Sequence, residues 1–490
     1  MQLAELIKDW PCTVKGSIRI EVTGVEDDVQ QVKPGYLFVA RKGRRYDGIQ
    51  FVEQAITLGA CGIVVEEELQ LDILNIAVPI IWVPNALSFL SFASAKLLHF
   101  PSEALHVTAV TGTNGKTTVT HFIGQLLTRL GERVMVIGTN GVYVNGQLLP
   151  GEYESLTTLP AKQLHQLMKK ALDEGIHFVV LEASSMGLAT HRLDHCDINI
   201  GIFLNLAEDH LDDHITFDNY KLAKQRLISL SERLVLNGDD AFCRSIGVLA
   251  KKRKRYFGGN SRVDVQMQLI TEEQGFSTCC LQTEHEQQVI TLPLVGEYQR
   301  SNALAAITAV CEAGFPFEEV CQVADSLKLP EGRMQQIPNE LGITIIVDYA
   351  HTAEAFRAIL QTVRFQTEKR VIVVFSCGGE RDHAKRPKMG LMASKFSDFI
   401  VLTTDNARGE NPKVINKQIQ EGFLPNQLFE VEYDRKKAIE KALKLAETGD
   451  TVVIVGKGHE RTQTIGKQIT PFSDIESVYD VLNTSLNNKK

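Results

Sequence analysis

The nine cysteines contain no CxxC pair, and only Cys279 and Cys280 are neighbours. That spacing excludes a zinc-ribbon pattern and offers no disulfide framework, so reduced cytoplasmic thiols are the expectation. The opening MQLAELIKDWPC lacks a basic stretch leading into an apolar core, so no signal peptide is expected. No apolar run approaches the roughly 18 residues of a bilayer span, so no membrane insertion is expected either. Positive charge is not in excess. The net charge is −8, and the one basic run, at 251–255, reads as a solvated face beside a strand. A nucleic-acid partner is therefore not expected.

A chain of 490 residues is long enough for about three domains. Its 44% hydrophobic and 23% charged residues are those of an ordinary globular protein. Breaks at Phe100-Pro101-Ser102 and Leu329-Pro330-Glu331-Gly332 divide it into 1–103, 104–329 and 330–490. The first part alternates short apolar runs (35–40, 62–65, 79–84) with helical patterns at 51–58 and 87–98, which predicts a small α/β domain. The second carries buried-type strands at 107–110, 133–137, 178–181, 200–204 and 234–236. Helices separate them, and a strand-rich stretch follows at 256–296, with a helix predicted at 302–313. The third repeats the strand–helix alternation, with strands at 343–347, 371–375, 399–402 and 451–455. The expected fold class is α/β: a central doubly wound parallel sheet, a Rossmann-like C-terminal domain and a small N-terminal domain. The polar tail from 483 is expected to fray.

The most specific local pattern is Gly112-Thr113-Asn114-Gly115-Lys116-Thr117-Thr118, between the strand at 107–110 and a helix at 118–130. Glycines admit a phosphate close to the backbone, amide groups and a helix N-terminus face it, Lys116 reaches the terminal phosphates, and the Thr117 hydroxyl suits Mg²⁺. The pattern is a shortened P-loop, with Val110 where the first glycine usually stands. The competing reading is a helix-capping Gly/Asn turn. Glu182 ends a strand, where a carboxylate faces the ligand crevice of a parallel sheet and is placed to hold a metal; a solvated strand-end acid is the alternative. The cluster Asp209-His210-Leu-Asp212-Asp213-His214 offers ligands for a second metal. Lys224, alone on a helix at 220–230, reads as solvated.

Together these residues resemble the Mur ligase family, and within it the UDP-N-acetylmuramoyl-tripeptide synthetases of peptidoglycan synthesis. The likeness runs through nearly the whole chain. It includes Pro34-Gly35-Tyr-Leu-Phe-Val-Ala and Asp47-Gly48, then the shortened P-loop, Glu182-Ala-Ser184-Ser185, Arg192, Asn205, Asp209-His210-Leu-Asp212 and Tyr220-Lys-Leu-Ala-Lys224. It continues with Gly332-Arg333-Met334, Asp348-Tyr349-Ala350-His351-Thr352, Gly379-Glu380-Arg381-Asp382, Lys385-Arg386-Pro387, Asp405-Asn406-Ala407-Arg408 and Gly456-Lys457-Gly458-His459-Glu460. The resemblance implies three domains that take a nucleotide-sugar peptide, ATP and an amino acid. It implies catalytic roles for Lys116, Glu182, His210 and Lys224. Thr117, Glu182, His210 and a carbamylated Lys224 are implied to hold two Mg²⁺. Asn302 is implied to contact the base, with Arg333 and Asp348 completing the ATP site. The reaction implied is activation of a carboxylate as an acyl phosphate, followed by attack of an amine, within a closed site. A cytoplasmic monomer is expected.

The resemblance implies meso-diaminopimelate as the amine, since in the family an Arg at the position of Arg408 accompanies it; a guanidinium fork suits its second carboxylate, whereas lysine carries a cation there. Arg381, Asp405, Asn406, Gly456 and Glu460 match the remaining contacts; a bare surface role for Arg408 is the competing reading. Arg44, Arg45, Tyr46, Thr157, Thr158, Ser184, Thr190 and Arg192 are the expected acyl-substrate residues. This chain departs from the family pattern at Val29-Gln30, Leu159, Met186, Thr190, Ala353 and Ala407. The first reading is a ligase for UDP-MurNAc-L-Ala-D-Glu and diaminopimelate. The second is a paralogue acting on a related carboxylate. A non-catalytic nucleotide-binding descendant is a third, and it predicts loss of the lysines and acids that this chain retains.

Overall fold

The computed structural model describes residues 1–43, 46–66, 76–154, 156–207, 214–260, 262–273 and 275–487. Near-continuous β-branched and aromatic runs form strands buried on both faces, as parallel sheets require. The first sheet contains β1 (Thr13–Lys15), β2 (Gly24–Glu26), β3 (Tyr36–Val39), β4 (Gly62–Glu66) and β5 (Ile80–Val83), in the order β1-β5-β4-β3-β2. Only β1 runs antiparallel to its neighbour. The helix Ala86–Leu97 packs on one face through Phe89, Leu90 and Phe92.

The second sheet has eleven strands: β6 (His106–Thr111), β7 (Val134–Gly138), β8 (Gly141–Val144), β9 (Gln147–Leu148), β10 (Phe178–Glu182), β11 (Ile198–Phe203), β12 (Ser231–Asn237), β13 (Lys254–Gly258), β14 (Val265–Glu273), β15 (Phe276–Gln282) and β16 (Gln287–Leu292). Their order is β16-β15-β14-β13-β12-β11-β6-β10-β7-β8-β9. From β14 to β7 every pairing is parallel, and antiparallel strands extend both edges. Helices Lys116–Arg129 and Glu297–Glu312 cover one face through Phe122, Leu126, Leu304 and Ile307. Leu164, Leu167, Leu227 and Ile246 come from helices on the other. The onward connections of the neighbouring strands β6 and β11 diverge, from β6 toward β7 on one side and from β11 to β12 on the other. A crevice therefore opens at the carboxyl ends of these strands.

The third sheet contains β17 (Gln335–Gln336), β18 (Thr344–Asp348), β19 (Val371–Phe375), β20 (Phe399–Leu402), β21 (Phe429–Val431) and β22 (Thr451–Val455), in the order β17-β18-β22-β19-β20-β21. It is parallel except at β17, with apolar clusters on both faces. A separate hairpin joins β23 (Thr462–Ile465) to β24 (Gln468–Pro471).

The structure corrects the sequence reading in several places. Helix Glu297–Glu312 begins before 302, and the helix after the phosphate loop begins at Lys116. The basic run is not merely a solvated face. Lys254 and Arg255 lie within β13, and Arg253 and Arg255 pair with the buried Glu312 at 3.6 and 2.9 Å. Among the described residues no helix is long and apolar enough to cross a membrane.

Candidate active site

The strand β6 feeds directly into the glycine turn. Gly115 caps the following helix at φ +91°, and a Cβ there would come within 2.5 Å of Asn302 Oδ1. Glycine is therefore required at 115, and Asn302 stands against the loop. Asn205 clamps the turn from both sides: Asn114 N donates to its Oδ1 at 2.9 Å, and its Nδ2 donates to Asn114 O at 3.1 Å. The Thr113 hydroxyl lies 2.9 Å from the Tyr220 hydroxyl and accepts from Ala207 N at 2.9 Å. Lys116 Nζ donates to the carbonyls of Gly112 and Thr113 at 2.9 and 3.0 Å. Thr117 and Thr118 are buried in the first helical turn.

Glu182 is the last residue of β10, paired in the sheet with Val110 of β6. Its side chain is buried, and its two oxygens accept from Thr139 N at 2.9 Å and from the Thr139 hydroxyl at 3.1 Å. A free solvated carboxylate is thus ruled out. Thr157 Oγ1 lies 3.1 Å from the same Thr139 hydroxyl. Thr158 Oγ1 donates to Glu182 O at 2.7 Å and accepts from Ser184 N at 2.9 Å, while Arg192 Nη1 donates to Thr158 O at 2.7 Å. Thr190 spends its hydroxyl on Met186 O at 2.6 Å, within its own helix. Lys224, read from sequence as solvated, is buried; its Nζ donates to Gly112 O at 2.9 Å and stands 4.7 Å from the Tyr220 ring centroid.

The third sheet faces this loop. Arg333 Nη2 donates to Thr117 Oγ1 at 3.1 Å, and its guanidinium lies 4.6 Å over the Tyr349 ring. Asp348, at the end of β18, accepts from Met334 N and Ala350 N, each at 2.6 Å. Burial pushes its carboxyl up to about 6, against the pull of Arg333 and the backbone donors. The His459 imidazole beside Arg333 is driven down to about 3, first by burial and then by neighbouring cations. Asn406 Nδ2 donates to Glu460 Oε2 at 2.9 Å. Gly456 has φ +118°, and a Cβ there would meet Asp405 Oδ2 at 2.6 Å. Arg408 holds φ +49° and donates from Nη1 to Gly379 O at 2.8 Å, so it belongs to the loop architecture and is no bare surface side chain.

Two cavities organise these groups. One of about 660 Å³ has Asn114, Lys116, Thr117, Glu182 and Asn302 on one wall and Arg333, Asp348, Arg381, Asp405, Asn406, Arg408, Gly456 and Glu460 on the other. A second, of about 1190 Å³, brings Thr158, Ser184, Thr190, Arg192 and Lys224 together with Glu26, Asp27, Asp28 and Arg41 of the first sheet's unit. Both are lined by Lys116, Leu156 and Thr157, so they meet at the lysine. A further cavity of about 840 Å³, bordered by Arg129, Glu272 and Phe365, contains none of these residues.

Tyr46, expected at the acyl substrate, is instead 66% exposed against Phe51 and lines neither cleft. Arg44, Arg45, Asp209, His210, Asp212 and Asp213 lie outside the described residues. Among the described residues no cluster of three or more His, Cys, Asp or Glu is arranged for a metal. Sequence reasoning missed Tyr298 and Arg357, which line the smaller cleft from helices where a single residue carries no spacing signal.

Profiles of three Mur ligase units match in order: the Mur ligase family catalytic domain at residues 21–96, the middle domain at 110–310, and the glutamate ligase domain at 332–458. A UDP-N-acetylmuramoyl-L-alanyl-D-glutamate–2,6-diaminopimelate ligase of Caldanaerobacter subterraneus is 33% identical over 484 residues, covering 98% of this chain and 99% of the relative. The chain belongs to the Mur ligase family. A ligase of the same description from Syntrophomonas wolfei is 35% identical over 501 residues, covering 98% of this chain and 99% of its own. A solved structure of a diaminopimelate ligase of this description superposes with TM-score 0.70 at 29% identity, covering 99% of both chains. The fold is shared more widely: MurF ligase from Thermotoga maritima in complex with ADP gives a TM-score of 0.63 at 18% identity, over 96% of this chain and 99% of that one.

Proposed function

We propose that this chain is an ATP-dependent ligase that adds meso-diaminopimelate to UDP-MurNAc-L-Ala-D-Glu in peptidoglycan synthesis. The carrying observation is the position of Lys116 where the two clefts meet. In this reading the γ-phosphate of ATP and a substrate carboxylate approach from opposite sides, and both are anions. The ammonium of Lys116 screens their repulsion, which is the main obstacle to phosphoryl transfer. The relatives named above are diaminopimelate ligases along their whole length, which supports the same substrates here.

Each residue set has a task. The amides of the 112–118 turn cradle the phosphates, and the space Gly115 leaves beside Asn302 suits the approach of a ligand. Asn302 takes the base, and Arg333 and Asp348 close the site from the third sheet. The oxygen donors of Thr117 and Glu182 fit Mg²⁺, a hard cation; His210 and a carbamylated Lys224 would hold a second ion. Bound Mg²⁺ supplies further charge screening. Thr157, Thr158, Ser184 and Arg192 line the acyl cleft, and Thr190 contributes only its methyl face. The carboxylate oxygen bonds to the γ-phosphorus and ADP leaves. The neutral amine then attacks the acyl carbon, phosphate leaves, and the amine loses a proton. Arg381 and Arg408 take the distal carboxylate of diaminopimelate, while Asp405, Asn406, Gly456 and Glu460 seat its other end. The work is that of a cytoplasmic monomer.

Phosphate release measured with ATP, diaminopimelate and UDP-MurNAc-L-Ala-D-Glu is expected only when all three are present, with lysine a poor replacement for diaminopimelate. Absence of release under those conditions, with intact folding, rejects the assignment. One observation favours a related carboxylate as acyl substrate. In the larger cleft Arg41 is bonded to Asp27 at 2.5 Å and Lys162 to Glu26, so two cations that suit a diphosphate are already engaged. Release with another N-acylated glutamate, and none with the UDP-peptide, would move the assignment to that reading.

A further inference from the structure

Lys457 is fully buried, yet it lies at the edge of the amino-acid side of the smaller cleft. It sits between Gly456 (φ +118°) and Gly458 (φ +53°), just beyond the carboxyl end of β22. The chain is fixed there by Gly456 N donating to Asp348 O at 3.0 Å and Glu460 N donating to Lys457 O at 2.9 Å. From that turn the Lys457 ammonium reaches two groups. It donates to Glu460 Oε2 at 2.7 Å and to Asn406 Oδ1 at 3.2 Å. Asn406 in turn donates from Nδ2 to the same Glu460 oxygen at 2.9 Å, and its Oδ1 also accepts from Thr464 N at 2.9 Å. Ammonium and backbone N–H both require an acceptor, so the network itself fixes which way the Asn406 amide faces.

Asn406 and Glu460 both line the cleft, whereas Lys457 does not. The lysine therefore acts through its two partners. Asp405 also borders the cleft, so two carboxylates face a site that must admit an amino acid's own carboxylate. The buried Lys457 ammonium, bonded to Glu460 at 2.7 Å, fixes that carboxylate in place and offsets the like charge. We propose that Lys457 is a positioning residue for the incoming amino acid: it locks Asn406 and Glu460 as one preformed reader, and so sets affinity for the amine substrate without touching it. This rests on the assignment of the Asp405–Glu460 side of the cleft to the amine donor.

The experiment is steady-state phosphate release by the full-length chain and by Lys457→Met, Lys457→Gln, Glu460→Gln and the double variant K457M/E460Q. It uses whichever of diaminopimelate or lysine supports wild-type turnover. For Lys457→Met the KM for the amino acid is expected to rise about tenfold or more, the range of one lost charged hydrogen bond. KM for ATP should stay within about twofold, and kcat should fall far less than kcat/KM. Lys457→Gln, which keeps a donor, should recover part of the loss. The double variant should be no worse than the poorer single one, because both changes break the same unit. Equal rises in the KM of ATP and amino acid, no change in either, or additive losses would overturn the proposal. If Lys457→Met fails to fold, Lys457→Gln and Glu460→Gln carry the same comparison. Wild-type turnover on lysine in place of diaminopimelate would refute the substrate assignment while leaving the Lys457 effect measurable on lysine.

Discussion

Lys116 and Arg408 show what a single cation is worth in two settings. Lys116 is held by two loop carbonyls at the junction of the clefts, so in the proposed mechanism its removal takes charge from the point of phosphoryl transfer. Lys116→Ala should lower kcat/KM by about a thousandfold or more, with an unchanged circular dichroism spectrum; phosphate release measures it. Arg408 differs in that its backbone is as constrained as its side chain: at φ +49° its N donates to Thr464 O, and its O accepts from Gly466 N, both on the β23–β24 hairpin. Arg408→Lys keeps the charge and loses the planar fork. The KM for diaminopimelate should rise about tenfold to a hundredfold while the KM for ATP holds.

At the scale of the element, the strand–loop–helix unit from β6 through Gly115 to Arg129 puts most of the residues proposed to hold phosphate on one contiguous segment. Gly115→Ala forces a left-handed residue to carry a Cβ against Asn302, at a cost of about 1–2 kcal/mol. A lower melting temperature together with a raised KM for ATP is expected, and thermal melts beside ATP titrations check both. Contiguity also explains what the sequence made legible. Strands β19, β20 and β22 are unbroken β-branched or apolar runs and were readable to the residue. The glycine turn between β6 and its helix was readable because its spacing is local. Strands β1 and β21, three residues each and largely exposed, have no period to detect. The first turn of helix Glu297–Glu312 is polar, so a reading keyed to apolar spacing started late. The burial of Lys224 and the joining of Lys457 to Asn406, 51 positions away, depend on which loops the sheets bring together, and no local pattern encodes that.

Across the whole molecule, polar contacts tie the three sheets at identifiable points. The third meets the phosphate loop through Arg333 on Thr117 and through Thr352 Oγ1, which donates to Asn114 Oδ1 at 3.3 Å. The first meets the second along helix Ala86–Leu97, where the Ser88 hydroxyl donates to Asp194 Oδ2 at 3.0 Å and Ser91 lies 3.3 Å from His165 Nε2. Burial lowers His165 to about 4, and the nearby His195 adds to the effect, opposed by its bond with the Asp194 backbone. A histidine whose folded value lies below its unfolded one stabilises the fold above about pH 6.5 and loses that contribution as pH falls toward 4. The melting temperature should therefore drop across that interval, and His165→Asn should flatten the drop; melts at stepped pH measure it.

One ammonium shared between two chambers also makes their occupants mutually aware. An anion seated on one side changes the field felt on the other, so with nucleotide and acyl donor seated as proposed, the two affinities share one coupling factor, identical in both directions. Calorimetric titration of either ligand, with and without the other, would read that factor, and abolishing it without abolishing occupancy is what replacement of this one side chain should do.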